Sequence, residues 1–391
     1  MTAPILSARF DIPSPIIHGG GSRHRLPDLA RELGGSRVLI VTDPGIVQLG
    51  VAAEISRLLE TAGFSVAVFD EVQPDPTDKN VDAGAAAAAD HRADLIVALG
   101  GGSPIDTAKV VAVRQANPQP LPEFMGLHKI KNAGLPLIAI PTTAGTGSEA
   151  TKVAVITDTE RQVKMMMLSA PLLPTAAIVD FELTMGMPRA LTAAVGVDTL
   201  THGIEAYVSR KANALTDPLA LQCIALSARH LLEAWSNPAN RAARAGMMLA
   251  ATLGGMAFSN SSVCLVHGMS RPIGAVFHLP HGLSNAVLLP AVTRFSVEAA
   301  LGRYATVAQT VGCAPSADAP DTACAKLIAW LEALNAALEI PRLSECRGVT
   351  QATFDASVEK LSTDALASGS PDNNPKVPTV AEIVRIYREA W

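Results

Sequence analysis

Residues 95–109 read Leu-Ile-Val-Ala-Leu-Gly-Gly-Gly-Ser-Pro-Ile-Asp-Thr-Ala-Lys, and this stretch predicts a strand, a glycine turn and a helix. The five apolar residues at its start are typical of a strand that is buried on both faces. The three glycines that follow permit positive φ and let a ligand approach the backbone closely. The stretch therefore predicts an α/β fold in which a parallel sheet carries a ligand near the end of this strand.

The predicted helix start has the residue types that favour phosphate binding. Ser103 is a good N-cap, Pro104 suits the first helical position, and Asp106 stands where a capping-box acid would. Unpaired amides at such a helix start attract a pyrophosphate. The spacing differs from Gly-x-Gly-x-x-Gly, so a plain strand–turn–helix unit remains the alternative to dinucleotide binding.

Apolar runs of the same kind alternate with helical patterns through the first half of the chain. The predicted strands are 38–41, 66–69, 95–99 and 137–140, and the predicted helices between them are 51–62 and 78–92. Uniformly apolar strands that alternate with helices are typical of a parallel sheet covered on both faces. A glycine turn, rather than an esterase oxyanion loop, is predicted at residues 18–22.

A second loop rich in glycine and hydroxyl groups follows the last of these strands. Residues 141–149 read Pro-Thr-Thr-Ala-Gly-Thr-Gly-Ser-Glu. Ligands of parallel sheets usually bind at the carboxyl ends of the strands, which is where this loop lies. A solvated loop is the alternative, but two such loops after two strands favour a nucleotide-binding cleft.

The second half of the chain is predicted to be helical. No further strand runs occur after about Met187, and the composition shift marks a domain boundary between residues 187 and 188. Residues 1–187 are thus predicted as an α/β dinucleotide-binding domain and residues 188–391 as an all-α domain. The clearest predicted helices of the second domain are 190–209, 218–235, 239–258, 321–338 and 379–389.

Four residues of this helical part form a candidate metal site. Asp198 and His202 are four residues apart and share one helix face, while His267 and His281 must be brought to them by the fold. One carboxylate and three imidazoles suit a divalent ion such as Fe²⁺ or Zn²⁺. Any one of these histidines alone would more often be an ordinary core or surface residue, but the set of four beside a nucleotide loop favours a metal site.

Composition narrows the function classes. The chain has 391 residues, a formal net charge of −5 and no basic patch, so no nucleic-acid partner is expected. Its five cysteines are scattered without metal-site or disulfide-framework spacing, which favours reduced thiols and a cytoplasmic location. No signal peptide is expected, and no apolar run reaches the ~18 residues of a membrane span.

The motifs together resemble the iron-containing (group III) metal-dependent alcohol dehydrogenases, and the likeness covers essentially the whole chain. It is strongest toward lactaldehyde reductase and 1,3-propanediol dehydrogenase type members, and it implies a dehydroquinate synthase-like two-domain architecture. The stretches that carry the likeness are 100–104, 141–149, 196–198, 201–202, 266–269, 279–282, 374–376, 386–387 and 390–391.

The resemblance implies roles for individual residues. Asp198, His202, His267 and His281 would bind the metal. The implied cofactor contacts are Gly101, Gly102 and Ser103 at the pyrophosphate, Asp106 in the same helix start, Thr142, Thr143 and Thr146 on the nicotinamide side, Lys164 near the ribose, and Asp43 and Asp75 on the adenosine side. A carboxylate at position 43 would repel a 2′-phosphate, which favours NAD over NADP.

The resemblance also implies the chemistry. A metal-bound alcohol or aldehyde would exchange a hydride with the nicotinamide ring. Many members have a histidine four residues after the position of His267, but here that residue is Arg271. The usual proton relay is therefore in doubt, and His278 and His267 are the catalytic candidates. For His278, a structural or substrate-contact role is the alternative.

Other activities on the same architecture remain open. They are a maleylacetate-reductase-like or hydroxyacid–oxoacid transhydrogenase activity, a dehydroquinate-synthase-like lyase, and a non-catalytic binding protein. Retention of all four candidate ligands argues against the maleylacetate group. The expected partners are a small alcohol or aldehyde and a second copy of the chain, which the resemblance pairs through an N-terminal edge strand within 10–17.

Overall fold

The computed structural model describes residues 9–161 and 163–391. Its first half contains nine strands and five helices. The strands are β1 (Ile16–His18), β2 (Arg37–Val41), β3 (Ser65–Phe69), β4 (Leu95–Gly100), β5 (Gly126–Leu127), β6 (Leu137–Pro141), β7 (Val153–Asp158), β8 (Val163–Leu168) and β9 (Ala176–Val179). The helices are α1 (Leu26–Glu32), α2 (Pro44–Gln48), α3 (Val51–Thr61), α4 (Asp78–Asp90) and α5 (Gly102–Arg114).

Six of these strands form one parallel sheet in the order β1-β9-β6-β4-β2-β3. The four strands predicted from apolar runs lie next to one another within it, and all six residues of β4 are buried. Pairing of Gly100 with Pro141 places the carboxyl ends of β4 and β6 side by side. The predicted α/β class of the first half is confirmed, and the two glycine-rich loops leave the sheet from adjacent strands.

Four strands were not foreseen in the sequence. β9 inserts between β6 and β1, and β5, β8 and β7 form a separate small sheet. β7 shows only a weak alternation in its sequence, Val-Ala-Val-Ile-Thr-Asp, although its residues alternate between half-buried and buried. All four residues of β9 are buried, and the half-buried face of β7 carries Val153, Val155 and Thr157, so neither sequence shows the polar–apolar period of a half-exposed strand.

The N-terminal edge is shorter than predicted. β1 begins only at Ile16, after two prolines, and pairs with β9 alone among the described strands. Proline cannot donate to a strand ladder, which accounts for the late start. The glycine turn that follows is confirmed, with Gly19 at φ +128° and Gly21 at φ +73°.

The second half is helical, as predicted. Its helices are α6 (Arg189–Val208), α7 (Thr216–Ser236), α8 (Arg241–Asn260), α9 (Leu265–Phe277), α10 (His281–Ser296), α11 (Leu301–Thr310), α12 (Pro320–Ala337), α13 (Gln351–Ala367) and α14 (Val380–Glu389). All five of the clearest predicted helices begin and end within two residues of the observed bounds. Within the described part of the chain, no single helix has the length and composition of a membrane span, and only the α8–α9 pair does, across a 103° bend.

Helix α6 is the centre of the helical part. Sixteen of its twenty residues are buried, since it packs against α7, α8 and α10. A helix that is covered nearly all round cannot leave charged groups unpaired without a large cost. Asp198, His202 and Glu205 are nevertheless among its buried residues. Their charges must therefore be balanced by bound protons or by a cation.

Candidate metal centre and cofactor cleft

Three helices bring the four predicted metal ligands together. Asp198 and His202 lie one turn apart on α6, His267 is the third residue of α9, and His281 is the first residue of α10. From Asp198 Oδ1, the distances are 3.7 Å to His202 Nε2, 3.5 Å to His267 Nε2 and 3.9 Å to His281 Nε2. Ligand atoms that share one tetrahedral ion at about 2.1 Å stand roughly 3.4 Å apart, so this donor set fits a divalent transition metal.

The four ligands differ in how tightly they cluster. Atoms of Asp198, His267 and His281 all lie within 4.8 Å of one another. The ring of His202 stacks on that of His267 with centroids 4.7 Å apart, and its other face stacks on Phe258 at 4.5 Å. His281 is the open member of the set, with 42% of its side chain exposed. The cluster is therefore accessible to solvent on the side of His281.

Asn285, one turn after His281 on α10, converges on the same point. Its Nδ2 is 2.6 Å from Asp198 Oδ1 and 3.2 Å from the Nε2 atoms of both His267 and His281. Its Oδ1 is buried without a partner among the described residues. Three potential ligand atoms, from Asp198, His267 and His281, thus surround one small volume, which is the arrangement that a cation needs. The sequence analysis did not identify this asparagine, although its four-residue spacing from His281 was visible.

Glu205 holds His267 from behind. Its Oε2 is 2.6 Å from His267 Nδ1 and accepts from the amide of Cys264, while its Oε1 accepts from the amide of Val266. The carboxylate is almost fully buried and lies at the amino end of α9, where a negative charge is favoured. By bonding Nδ1, it directs Nε2 toward the metal position. Sequence reasoning missed this residue.

The charges of the site suit a cation. Burial lowers the pKa of His202 to about 4 against the opposing charge of Asp198, so this ring is neutral at pH 7. Burial alone would lower the pKa of His267, but Glu205 and Asp198 outweigh it and raise the pKa to about 9. Burial would raise the pKa of Asp198, yet the three histidines hold it well below its usual range. The metal-free site thus keeps one protonated ring between two carboxylates.

The glycine loop after β4 lies against the neighbouring strand ends. Gly100 has φ +148°, and a Cβ there would stand 2.6 Å from Pro104 Cγ and 3.3 Å from Asp43 Oδ2. Glycine is therefore required at this position on both conformational and steric grounds. Asp43 itself caps α2 by accepting from the amide of Ile46 at 3.0 Å, so its carboxylate is fixed beside the glycine loop.

The threonine loop after β6 faces the same helix start. A Cβ on Gly102 would stand 3.0 Å from Thr146 Cγ2, and one on Gly101 would stand 3.4 Å from Thr143. Thr142 is buried, and its amide donates to the Gly100 carbonyl at 2.9 Å. The structure therefore brings the two predicted nucleotide loops into contact, with Thr143 and Thr146 partly accessible and Thr142 inside.

Two predicted capping roles are wrong. Helix α5 begins at Gly102 with Gly101 as N-cap, so Ser103 is not the cap and Pro104 is not the first helical residue. Asp106 is no capping-box acid, because its carboxylate accepts from Ser148 Oγ at 2.6 Å and from the Val155 amide at 2.9 Å. With Gly101 as the cap, no side chain covers the helix amides, which leaves them free for a phosphate.

A buried lysine supports the threonine loop. Lys109 is fully buried on α5, and its Nζ donates to Ser148 Oγ at 2.7 Å, Thr151 Oγ1 at 2.9 Å and the Val153 carbonyl at 2.7 Å. Glu149 is also buried and accepts from Thr252 of α8 at 2.7 Å. These bonds connect helix α5, the threonine loop and helix α8, so they position the loop relative to both parts of the protein.

Lys164 and Asp75 form an ion pair at the other side of the cleft. Lys164 Nζ on β8 lies 2.6 Å from Asp75 Oδ1, and Asp75 has φ +54° in the loop before α4. A Cβ on Gly274 of α9 would stand 3.6 Å from the same Nζ. The helix that carries His267 thus also contacts the predicted ribose side of the cleft.

His278 lies at the bend between α9 and α10. It is the C-cap of α9 with φ +55° and has an exposed side chain. It precedes His281 by three residues, and among the described residues no hydrogen bond or ion pair fixes its ring at the candidate metal ligands. Its role in proton transfer therefore stays a prediction.

The comparisons with known proteins agree with this geometry. A model described as iron-containing alcohol dehydrogenase matches residues 13–181, and a model of the C-terminal part of the Fe-containing alcohol dehydrogenase family matches residues 192–391. The chain therefore belongs to the iron-containing alcohol dehydrogenase family. It is an oxidoreductase of that family, and the resemblance noted in its motifs is confirmed.

Individual relatives match over nearly the full length. The chain is 38% identical to 1,3-propanediol dehydrogenase of Klebsiella pneumoniae, with 92% of each sequence covered. It is 36% identical to NAD-dependent methanol dehydrogenase of Bacillus methanolicus, covering 97% of this chain and 99% of that protein. A crystal structure of 1,3-propanediol oxidoreductase superposes with a TM-score of 0.95 at 36% identity, covering 99% of this chain and 100% of the other.

Proposed function

We propose that this enzyme uses NAD and a single Fe²⁺ ion to interconvert small primary alcohols and aldehydes. One observation carries the proposal above all others. Asp198 Oδ1 lies within 3.5–3.9 Å of three histidine Nε2 atoms, and Thr199, the next residue of α6, donates to the carbonyls of Ala144 and Gly145 in the threonine loop. A Lewis-acid position beside a nicotinamide position is what hydride transfer to a carbonyl requires.

In this proposal Asp198, His202, His267 and His281 hold the ion, which when bound polarises a carbonyl and stabilises an alkoxide. Glu205 keeps His267 in the tautomer that presents Nε2. Phe258 stacks on the outer face of His202 and keeps water from that side of the ring. Iron rather than zinc is proposed from the family, because these ligands suit both ions.

The cofactor is proposed to lie along the sheet edge. Gly101, Gly102 and Ser103 would bind the pyrophosphate at the start of α5, and Thr143 and Thr146 would contact the nicotinamide half. Asp43 and the Lys164–Asp75 pair would contact the riboses and adenosine. NAD is proposed over NADP because the fixed Asp43 carboxylate, beside Gly100, would repel a 2′-phosphate. One relative is named for its NAD dependence.

Several less specific features are also proposed. Residues 1–187 and 188–391 would form the two domains, since β9 ends at Val179 and α6 begins at Arg189. A homodimer through β1 is supported by the edge position of this strand in the sheet. A reducing, cytoplasmic location is supported by the five cysteines, all of them free.

The test is a coupled metal and activity measurement. Protein purified without oxygen should contain about one iron per chain and form NADH from short alcohols between C2 and C8, with the reverse reaction from the matching aldehydes. Asp198→Asn and His202→Ala should lose the metal and the activity together, whereas Asp321→Asn on α12, far along the chain from the site, should keep both. Metal-free wild-type protein with full alcohol-dependent NADH formation would overturn the proposal.

A further inference from the structure

Arg271 places a cation beside the metal centre. It follows His267 by one turn of α9, so the two side chains share one face of the helix. The side chain is half-buried, and its Nη1 donates to Ser370 Oγ at 2.9 Å. The position is therefore fixed from one side by the segment after α13, while the rest of the guanidinium stays available.

This guanidinium is short of partners. In residues 9–161 and 163–391, no carboxylate oxygen lies within 4.0 Å of its nitrogens. Other arginines of similar burial are paired, as Arg23 is with Asp180 and Arg303 is with Asp217. A guanidinium carries five N–H donors and cannot be deprotonated in a protein, so one bond to a serine leaves most of its fork unused.

The neighbouring acid, Glu205, does not accept a hydrogen bond from the Arg271 guanidinium. Both oxygens of Glu205 are taken by His267 Nδ1 and by the amides of Cys264 and Val266. Burial lowers the pKa of Arg271, and the charge of Glu205 only partly opposes that shift. With a divalent ion on the four ligands, the positive charges here would exceed those of Asp198 and Glu205 by one. The site as a whole then favours an anionic ligand.

We propose that Arg271 binds the carboxylate of a substrate whose other end is the reacting alcohol or aldehyde, so that the enzyme acts on small hydroxy acids and their semialdehydes. This inference rests on the proposed function. Arg271 lies one helical turn after His267, so a substrate that reaches both the ion position and the guanidinium must be a small molecule. The planar fork suits a carboxylate because it can form two parallel hydrogen bonds.

The reaction balances without a further reagent. The carbinol carbon of the hydroxy acid gives a hydride to NAD⁺, its hydroxyl proton passes to solvent, and the semialdehyde, NADH and H⁺ result. The carboxylate at the far end does not react. Arg271 thus acts on specificity, since the energy of its ion pair with the substrate helps to orient the chain toward the metal.

The first test compares substrates of one length in the metal-loaded enzyme. We expect a higher kcat/KM for 4-hydroxybutyrate than for 1,4-butanediol. In Arg271→Gln the ratio of these two values should fall about 100-fold. The ratio in Arg271→Lys should lie between that of Arg271→Gln and that of the wild type. Arg303→Gln, which removes a half-buried arginine of α11 away from the site, should leave the ratio unchanged.

The second test measures binding without turnover. Calorimetry of the metal-loaded enzyme with NADH should give a dissociation constant for butyrate that rises at least tenfold in Arg271→Gln. The dissociation constant for butyramide, which has no charge, should be the same in Arg271→Gln and the wild type. Metal content and thermal unfolding of each variant show whether it is folded and loaded. If Arg271→Gln changes neither the substrate ratio nor butyrate binding, the inference is overturned. If no alcohol reduces NAD⁺ at all, the proposed function fails instead, and butyrate binding still tests Arg271.

Discussion

Glu205 Oε2 lies 2.6 Å from His267 Nδ1, so a buried carboxylate stands directly behind one metal ligand. The same carboxylate accepts from two amides at the start of α9 and therefore positions the helix as well as the ring. A carboxylate–histidine pair of this kind raises the basicity of the ligand and fixes its tautomer. The proposed metal centre thus includes Glu205, which contacts a candidate ligand rather than the ion position. The spacing of the four candidate ligands in the sequence does not reveal it.

Replacement of this acid should weaken metal binding. Glu205→Gln keeps the shape but removes the charge that holds His267, so the dissociation constant of the ion should rise about 10- to 100-fold. Competition with a chelator measures it. Glu233→Gln on the exposed side of α7 is the matched control and should bind the metal like wild type. Equal affinities for both variants would show that Glu205 does not support the ligand.

Metal binding should release a proton. Because Glu205 and Asp198 outweigh burial and raise the pKa of His267 to about 9, that ring is protonated at pH 7 in the metal-free enzyme. A divalent ion must displace this proton, so apparent affinity should increase with pH, by about tenfold per unit, until pH 9 is approached. Calorimetry in two buffers of different ionisation enthalpy counts the proton. Release of none at pH 7, with a flat affinity, would contradict the assignment.

Removal of the charge at Asp43 should relax cofactor choice. Asp43→Asn keeps the capping bond to the Ile46 amide but loses the repulsion of a 2′-phosphate, so the ratio of kcat/KM with NAD to that with NADP should fall at least about tenfold. Steady-state kinetics with both cofactors measure this ratio. Asp70→Asn, in the loop after β3, serves as the control. An unchanged ratio in Asp43→Asn would show that the adenosine ribose does not lie beside Asp43.

Gly100 should tolerate no side chain. Gly100→Ala forces a Cβ to φ +148° and to within 2.6 Å of Pro104 Cγ, which should cost about 1–3 kcal/mol of stability and weaken NAD binding. Gly302→Ala is the opposite case, since a Cβ there meets no atom within 4 Å at the start of α11. It should be neutral or stabilising by up to about 1 kcal/mol. Urea unfolding compares the two, and equal effects would refute the steric argument.

The pH–rate profile should reveal whether His278 transfers the proton. If it does, His278→Ala should lower turnover by about 100-fold and remove one limb of the profile. His128→Ala, directly after β5, is the matched control, because His128 is exposed and has φ +56°, close to the φ +55° of His278. An unchanged profile and turnover in His278→Ala would exclude the relay, and solvent or the substrate itself would then carry the proton.

Sequence reasoning selected four residues that the structure brings together, because Asp198 and His202 are four residues apart and the motifs add His267 and His281. It could not find Glu205, whose partners lie on another helix, although its position three residues after His202 put it on the same face of α6. Asn285 was missed because its contacts with Asp198 and His267 join different helices. The start of α5 was predicted two residues too late because Ser103 is a common N-cap residue, whereas the observed N-cap, Gly101, has no side chain that would indicate it.

Some strands of the sheet were predicted from the sequence and others were missed. Strands buried on both faces were visible as continuous apolar runs, which indicate a parallel sheet but not the order of its strands. β9 has only four residues, and β8 carries three consecutive methionines, so neither offered a period that distinguishes strand from loop. The contact between the two nucleotide loops also depends on strand order, which places β4 beside β6 and cannot be read from either strand alone.

The central claim is that four side chains from three helices hold one ion at the mouth of the cofactor cleft. Anomalous diffraction at the iron edge, from crystals grown without oxygen, tests it most directly. We expect one peak per chain, about 2.0–2.2 Å from an oxygen of Asp198 and from the Nε2 atoms of His202, His267 and His281. A peak elsewhere, or none in crystals of active enzyme, would contradict the account.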